Sequence, residues 1–317
     1  MKFLFADGQS ANWYFKYVGL PLSVGMAIYT LFSKLADKRR RAALRGKVVV
    51  ITGASSGIGE ALAHAFYDQG SKVVLAARRK TELERVKGDL QSKKLAVPTL
   101  EPVCIELDLG DLDHIEDFSK KVYNACGTVD ILINNGGISY RGNILHSKMD
   151  VYQQIMNVNY FGSVALTKAV LPKMVENRSG HIVFISSIQG LIAIPDRAAY
   201  AASKHAIQAF GDSLRAEMYQ HNVNVTMVSP GYIITAVSLN ALTSSGEKHG
   251  VMDAATASGL TPQYTAEKIL DSVVKKENDL VVSQFVPKFA VFIRHFAPSI
   301  YHYLMAKRAE PTKLTVK

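Results

Sequence analysis

Three side chains in the second half of the sequence have the types and spacing needed for proton transfer. Tyr200 and Lys204 are four residues apart, so they share one face if the segment is helical. A free tyrosine hydroxyl has a pKa of about 10, but a neighbouring ammonium group favours the phenolate and lowers that pKa. Ser187 follows an apolar run, where its hydroxyl is able to bind the same substrate oxygen. The pattern predicts general acid catalysis at a carbonyl oxygen.

A glycine-rich segment further upstream predicts a nucleotide site. It follows the apolar run 48–51 and precedes the amphipathic run 60–66, as a strand, a tight turn and a helix would. Such a turn holds a dinucleotide pyrophosphate, because its glycines allow close backbone approach and the helix N-terminus favours negative charge. Its spacing is G-x-x-x-G-x-G, which differs from the general G-x-G-x-x-G fingerprint. The expected cofactor contacts in this turn are Gly53, Ser55, Ser56, Gly57, Ile58 and Gly59.

The end of the second predicted strand bears on the choice of cofactor. An NAD-binding site usually carries an acidic residue here, which holds the ribose 2′-hydroxyl. This sequence instead reads Ala76-Ala77-Arg78-Arg79, with no acid to repel a 2′-phosphate. We therefore expect an arginine here to pair with that phosphate and NADPH to be preferred over NADH. The alternative is a solvated arginine pair that begins a helix.

Short apolar runs alternate with helical patterns along most of the chain. This alternation is typical of an α/β protein with a parallel sheet and right-handed crossovers. Seven runs are expected to form strands: 47–52, 72–77, 103–107, 129–133, 181–185, 223–228 and 279–283.

Composition and charge narrow the functional classes. The 317 residues are 48% hydrophobic, and Cys104 and Cys126, the two cysteines, imply neither a disulfide framework nor a zinc site. The net charge of +10 lies at the ends, with +6 in residues 34–47 and +5 in residues 288–317. A nucleic-acid-binding protein would more often have a basic domain face with stacking aromatic residues. Basic ends beside apolar stretches favour contact with a membrane surface instead.

The N-terminal region predicts a single-pass membrane anchor. Residues 17–33 contain no charged side chain, and 17 residues is the short end of the transmembrane range. The arginines at 39–41 would keep the C-terminal side cytosolic. Pro21 and two glycines leave open the alternative of an apolar helix that lies on the membrane.

The C-terminal region admits two interpretations. Residues 286–305 are rich in Phe, Ile, Tyr and Val, with a few basic residues. They are expected to form either a helix that caps the core or contacts another subunit, or a second membrane-contacting surface. The expected organisation is an anchor with a basic juxtamembrane segment (1–45), a catalytic domain (46–285) and an apolar, basic C-terminal segment (286–317).

Together these motifs resemble the short-chain dehydrogenase/reductase family over roughly residues 45–283. Ser187 stands 13 residues before Tyr200, as the family pattern requires, and Gly136 replaces the alanine usual in the segment after the fourth strand. The other matching positions are Thr52–Gly59, Arg78, Asp108, Leu109, Asn134, Asn135, Gly137, Asn159, Lys204 and the segment Pro230–Thr235. The resemblance implies a single Rossmann-like, doubly wound sheet of about seven strands.

The resemblance also implies a role for each residue. Tyr200 would protonate the carbonyl oxygen during reduction, Lys204 would lower its pKa and bind the nicotinamide ribose, and Ser187 would position the substrate oxygen. Asn159 would order a water in the proton relay. The remaining implied contacts to NADPH/NADP+ are Asp108 and Leu109 at the adenine, Asn135 after the fourth strand, and Pro230, Gly231, Ile233 and Thr235 near the carboxamide.

The substrate is less constrained than the reaction. The resemblance makes residues 236–260 a substrate lid, and Ile188, Leu191 and Ile192 suggest an apolar substrate. A lipid ketone such as acyl- or alkyl-dihydroxyacetone phosphate, or a steroid, is implied by the resemblance. We expect a membrane of the endoplasmic reticulum, with the peroxisome as the alternative. A homodimer and a homotetramer both remain open.

Two other functions compete with the reductase. One is an alcohol, steroid or retinol dehydrogenase working oxidatively with the same four residues, which Arg78 and the missing acid disfavour. The other is a non-catalytic membrane scaffold that keeps a nucleotide-binding fold. Loss of one of the four residues would have supported a scaffold, and all four are present.

Overall fold

The computed structural model describes residues 15–310. Residues 1–14 and 311–317, the outer ends of the two predicted terminal segments, lie outside the described residues. The internal contacts divide the chain into two units, the first ending at Ala43 and the second beginning at Leu44.

The first unit is helical throughout its described part. A π-helical turn, Phe15–Gly19, continues into α1 (Leu20–Ala42). Pro21 lies in the first turn of α1. Within residues 15–310, the 28-residue segment Phe15–Ala42 is the one helix whose length and composition would allow it to cross a membrane, with a mean hydropathy of 1.4 over an 18-residue window.

The second unit contains a seven-stranded parallel sheet of order β3-β2-β1-β4-β6-β7-β9, which confirms the predicted doubly wound α/β fold. Its strands are β1 (Val48–Thr52), β2 (Lys72–Ala77), β3 (Val103–Glu106), β4 (Ile131–Asn134), β6 (Gly180–Ile185), β7 (Val223–Pro230) and β9 (Asp279–Val282). Every residue of β1 is buried, because helices cover both faces of the sheet. Val50 pairs with Val74 on one side and Leu132 on the other.

Helices form a layer on each face of the sheet. The helices of the second unit are α2 (Gly57–Tyr67), α3 (Lys80–Gln91), α4 (Ile115–Cys126), α5 (Met149–Met156), α6 (Gly162–Glu176), α7 (Ala198–Met218), α8 (Ala254–Ala257), α9 (Pro262–Lys275), α10 (Phe285–Phe296) and α11 (Pro298–Ala309). One core lies between the sheet and α2, α3 and α9, and a second between the sheet and α4, α6 and α7. Strand β1 contributes side chains to both cores, since Ile51 faces the first core and Val50 faces the second.

Strand order reverses between β1 and β4, which are neighbours in the sheet. A crevice opens outside the carboxyl ends of the strands at such a switch point. A second, two-stranded parallel pairing lies beyond that edge, between β5 (Tyr140–Arg141) and β8 (Leu242–Thr243). It joins residues 236–260 to the loop after β4, and the sequence patterns did not predict it.

The C-terminal helices α10 and α11 pack on the loop that follows β6. Tyr301 is buried against Ile188 and Ile192, with Ala290 and Ile293 beside them. The Tyr301 hydroxyl also donates a hydrogen bond to the Ala193 carbonyl. The inner face of this segment therefore caps a small core, as one of the two interpretations expected.

Candidate active site

The turn between β1 and α2 has a backbone that requires glycine. Gly53 and Gly57 have φ values of +66° and +62°, in the left-handed region that side chains disfavour. A Cβ on Gly59 would lie 2.2 Å from the Gly53 carbonyl oxygen. The start of α2 therefore packs directly on the turn, and its N-terminus opens toward the crevice.

Two hydrogen-bonding side chains tie this turn to the end of β4. The Asn135 amide donates to the Thr52 carbonyl at 2.8 Å. The Thr52 hydroxyl in turn accepts from the backbone N–H groups of Asn135 at 3.0 Å and Gly136 at 2.8 Å. A Cβ on Gly136 would come within 2.6 Å of a Leu109 methyl group. Leu109 therefore occupies the space that the methyl group of the usual alanine would need.

A cleft of about 620 Å³ runs along the carboxyl edge of the sheet. It brings together nearly all of the sequence-predicted site residues, and only Gly59 and Asn159 do not line it. The predicted residues that line it are Gly53, Ser55, Ser56, Gly57, Ile58, Arg78, Asp108, Leu109, Asn135, Ser187, Tyr200, Lys204, Pro230, Gly231, Ile233 and Thr235.

Both arginines after β2 are exposed at one end of this cleft. The Arg79 guanidinium donates to the hydroxyl of Ser55 at 3.0 Å and to that of Ser56 at 3.2 Å. Arg79 is thus joined to the glycine turn, whereas the family resemblance pointed to Arg78 for the phosphate contact. The pair of adjacent arginines indicated that a guanidinium lies near the glycine turn. Spacing could not tell which of the two reaches it.

Tyr200, Lys204 and Ser187 meet at the middle of the cleft. Lys204 is buried on α7, and its ammonium donates to the Ile185 carbonyl of β6 at 2.8 Å and lies 5.8 Å from the centre of the Tyr200 ring. Ser187 follows β6 in extended conformation, and its hydroxyl accepts from the Gln189 N–H at 3.1 Å. The Ser187 side chain also acts on Tyr200, since it lowers the pKa of the tyrosine hydroxyl.

Burial has the largest effect on the pKa values of Lys204 and Tyr200. It lowers the pKa of Lys204 to about 8, because the charged ammonium has lost its water. It also raises the pKa of Tyr200 above its ordinary value, although the interaction with Ser187 and the charge of Arg141 act in the opposite direction. The net direction of the Tyr200 pKa therefore differs from the predicted lowering, since desolvation of the phenolate outweighs the opposing effects of Ser187 and Arg141.

Asn159 lies behind the cleft in a π-helical turn, Asn157–Phe161, and is 1% exposed. Its carboxamide accepts from the Ile138 N–H at 2.8 Å and donates to the Ile138 carbonyl at 2.9 Å. It also donates to the Ser203 hydroxyl at 3.0 Å. Asn159 therefore joins the loop after β4 to α7, the helix that carries Tyr200 and Lys204.

An ion cluster beside Tyr200 was not predicted. Arg141, on β5, donates to the Asp253 carboxylate at 2.8 Å and to the Ser139 hydroxyl at 2.7 Å. Arg197, three residues before Tyr200, lies 3.6 Å from the same carboxylate. Since Asp253 belongs to residues 236–260, the cluster holds that segment against the catalytic helix. Arg141 and Asp253 are 112 residues apart, so no local pattern could have paired them.

Comparison with known proteins agrees with this geometry. The short chain dehydrogenase family profile matches residues 47–244. The chain is 52% identical over 303 residues to "Dehydrogenase/reductase SDR family protein 7-like" of Anopheles gambiae, covering 96% of each chain. It is 48% identical over 292 residues to "Dehydrogenase/reductase SDR family member 7B" of Bos taurus, covering 92% of this chain and 90% of that protein.

Solved structures share the fold. A short chain dehydrogenase/reductase from Burkholderia phymatum, in complex with NAD, superimposes with a TM-score of 0.72 at 23% identity, over 81% of this chain and 95% of that one. An alcohol dehydrogenase from the archaeon Thermococcus sibiricus, complexed with 5-hydroxy-NADP, superimposes with a TM-score of 0.64 at 27% identity. The match covers 75% of this chain and 97% of that one.

The chain thus belongs to the short-chain dehydrogenase/reductase family, as its motifs indicated, and is an oxidoreductase. Within that family the chain resembles proteins of the member 7B type, which align with it over most of its length.

Proposed function

We propose that this protein is a membrane-associated, NADPH-dependent reductase that transfers hydride to the carbonyl of an apolar substrate. One observation carries the proposal. Tyr200, Lys204 and Ser187 line the same cleft as the glycine turn, so a proton donor and a nucleotide cradle face one space. An oxidoreductase that reduces a carbonyl needs both, because hydride goes to carbon and a proton goes to oxygen.

The cleft fits a nicotinamide dinucleotide. The left-handed glycines and the close packing of Gly59 leave backbone N–H groups of the turn open to a pyrophosphate. Two structural neighbours carry NAD and 5-hydroxy-NADP, respectively. The residues that would hold the cofactor are the turn residues Gly53, Ser55, Ser56, Gly57, Ile58 and Gly59, then Arg78, Asp108, Leu109, Asn135, Tyr200, Lys204, Pro230, Gly231, Ile233 and Thr235. When bound, the cofactor supplies the hydride.

NADPH is the cofactor that the charges at the β2 end favour. Arg78 and Arg79 are exposed there, and no carboxylate follows β2 to repel a 2′-phosphate. We assign the phosphate contact to Arg78, since Arg79 already donates to Ser55 and Ser56. Arg79 then adds positive charge beside the same phosphate.

The proton is held by Tyr200 until the carbonyl oxygen receives it. The Tyr200 hydroxyl carries its proton at neutral pH, because burial raises its pKa above the ordinary value. We propose that it gives this proton to the carbonyl oxygen as a general acid. Ser187 is positioned to donate a second hydrogen bond to the same oxygen. Lys204, held by the Ile185 carbonyl, places a positive charge below the tyrosine ring, where it would stabilise the phenolate left after transfer. Asn159 supports this arrangement from behind through Ser203.

Membrane association rests on the N-terminal helix. The segment Phe15–Ala42 is apolar and ends in a basic turn. We propose an anchor in residues 1–45, the catalytic domain in 46–285 and a C-terminal segment in 286–317. The proposed location is the endoplasmic reticulum, as a single-pass protein with the catalytic domain in the cytosol. The substrate class is a lipid ketone such as acyl- or alkyl-dihydroxyacetone phosphate, or a steroid.

A substrate screen tests the proposal directly. The full-length protein in lipid nanodiscs is incubated with NADPH and a panel of lipid ketones, steroids and retinoids, and cofactor oxidation is followed by absorbance. We expect turnover with NADPH that exceeds turnover with NADH. Faster oxidation of the matching alcohols by NAD would instead favour the oxidative dehydrogenase, and no turnover in either direction would favour the scaffold.

A further inference from the structure

Helix α10 presents a row of phenylalanine rings to the solvent. Phe285, Phe289, Phe292 and Phe296 recur at the spacing of one helix face. Their exposed fractions are 77%, 47%, 53% and 75%. Successive rings lie against one another, with centroids 5.6, 6.2 and 4.4 Å apart. We call this row the phenylalanine face.

The phenylalanine face stays exposed although α10 packs on the body of the second unit. The opposite side of the helix, with Ala290 and Ile293, contacts the small core around Ile188, Ile192 and Tyr301. The helix is therefore already held, and its rings are not needed for that core. Helix α11 also exposes apolar side chains, namely Ile300, Tyr303 and Leu304, whose exposed fractions are 55%, 62% and 45%. A row of exposed aromatic rings such as the phenylalanine face marks an interaction site on a folded domain.

The net charge of the surrounding segment indicates which partner covers the phenylalanine face. Among residues 285–310, four basic side chains stand against the single acid Glu310, which gives +3. Lysine and arginine beside aromatic rings are typical of helices that lie in a membrane interface, where the rings enter the acyl region and the cations meet acidic headgroups. Symmetric pairing with a second copy would instead bring together two segments that each carry a net charge of +3, which electrostatics disfavours. The basic residues are Lys288, Arg294, Lys307 and Arg308.

We propose that α10 lies in the plane of an anionic lipid surface, with the phenylalanine face inserted among the acyl chains. This contact belongs to the second unit and is independent of residues 15–42. Because the inner side of α10 contacts Ile188, the contact would hold the loop after Ser187 close to lipid. That consequence for substrate access rests on the proposed function, whereas the lipid contact itself does not.

Fluorescence quenching by brominated lipids tests the contact without any turnover. The full-length chain carries Trp13→Phe, which removes its single tryptophan, and then Phe292→Trp as the probe. The matched control is Tyr219→Trp. Tyr219 is 85% exposed and precedes β7, at the amino edge of the sheet, whereas α10 follows the carboxyl end of β9. Both proteins are reconstituted in vesicles of phosphatidylcholine and phosphatidylserine, with or without bromine on the acyl chains.

We expect the brominated chains to remove most of the emission of the probe at 292 and little of that at 219. The quenching at 292 should weaken in vesicles of phosphatidylcholine alone. Equal quenching at the two positions would overturn the proposal. So would a probe at 292 that lipid does not quench but that becomes accessible to aqueous iodide on dilution, because a second copy would then cover the face.

The consequence for substrate access has a separate test. In the double variant Phe289→Ser, Phe292→Ser, the KM for a ketone dissolved in vesicles should rise severalfold, while turnover of a small water-soluble ketone stays unchanged. An unchanged KM would refute the access role. If neither ketone is turned over by the parent protein, the proposed function fails while the quenching result still stands.

Discussion

The ammonium of Lys204 donates a hydrogen bond of 2.8 Å to the backbone carbonyl of Ile185. This bond joins α7 to the last residue of β6, two positions before Ser187. It therefore holds the cation, the tyrosine above it and the serine after the strand in one rigid arrangement. Tyr200, Lys204 and Ser187 are thus brought together across a helix and a strand, and the hydrogen bond between the two elements sets their geometry.

Replacement of Tyr200 by phenylalanine tests the assigned proton donor. Tyr200→Phe should lower kcat for carbonyl reduction by roughly 10²–10⁴-fold, the usual contribution of a positioned general acid. NADPH affinity, measured by cofactor fluorescence, should remain near that of the parent protein. Tyr219→Phe, at an exposed position far from the cleft, is the matched control. Turnover retained by Tyr200→Phe would contradict the role.

Cofactor choice is tested at the end of β2. Arg78→Glu should raise the Kd for NADPH about 10–100-fold, because a charge-assisted hydrogen bond contributes roughly 1.5–3 kcal/mol. The Kd for NADH should change little, since it has no 2′-phosphate. Lys94→Glu makes the same change of charge at an exposed position beyond α3. Equal weakening of both cofactors by Arg78→Glu would argue against the phosphate contact.

The Arg141–Asp253 contact is expected to hold residues 236–260 over the site. Asp253→Asn should lower the free energy of unfolding by about 2 kcal/mol, because it leaves the nearly buried Arg141 without its full counter-charge. It should also raise KM more than it lowers kcat, because the segment is proposed to cover the substrate. Urea unfolding and steady-state kinetics give the two values.

A double-mutant cycle isolates that pair. Arg141→Leu together with Asp253→Leu should cost less than the sum of the single changes, since neither charge is then left unpaired. Asp196→Asn, at an exposed position, serves as the control. Simple additivity would show that the two side chains do not act through each other.

His181 should make stability depend on pH in the acid range. Burial lowers its pKa from 6.5 to about 4, and its Nε2 lies 2.8 Å from the Thr226 hydroxyl. The unfolded chain binds this proton at higher pH than the folded chain does, so stability is complete above pH 6.5 and falls as the pH drops toward 4. The loss should reach about 3 kcal/mol, and His181→Gln should remove most of it. A parallel pH dependence in both proteins, measured by urea unfolding, would refute this assignment.

Much of the site could be predicted because its signals are local. Tyr200 and Lys204 are one helical turn apart, and the glycine turn lies within eight residues, so spacing alone brings each group together. Spacing did not predict the π-helical turn at Asn159 or the hydrogen bonds of Arg79 to Ser55 and Ser56. They depend on how separate elements approach one another.

By itself, the sequence determined the parallel α/β fold, the glycine-rich turn and the family, and it predicted the proton-transfer residues. Periodicity and short motifs encode these, because they need only neighbouring residues. Tertiary structure decided the direction of the Tyr200 pKa, since the desolvation of a phenolate depends on everything packed around it. It also decided which side of α10 is buried and which remains a phenylalanine face, because the sequence shows an apolar helix but not the surface it packs against.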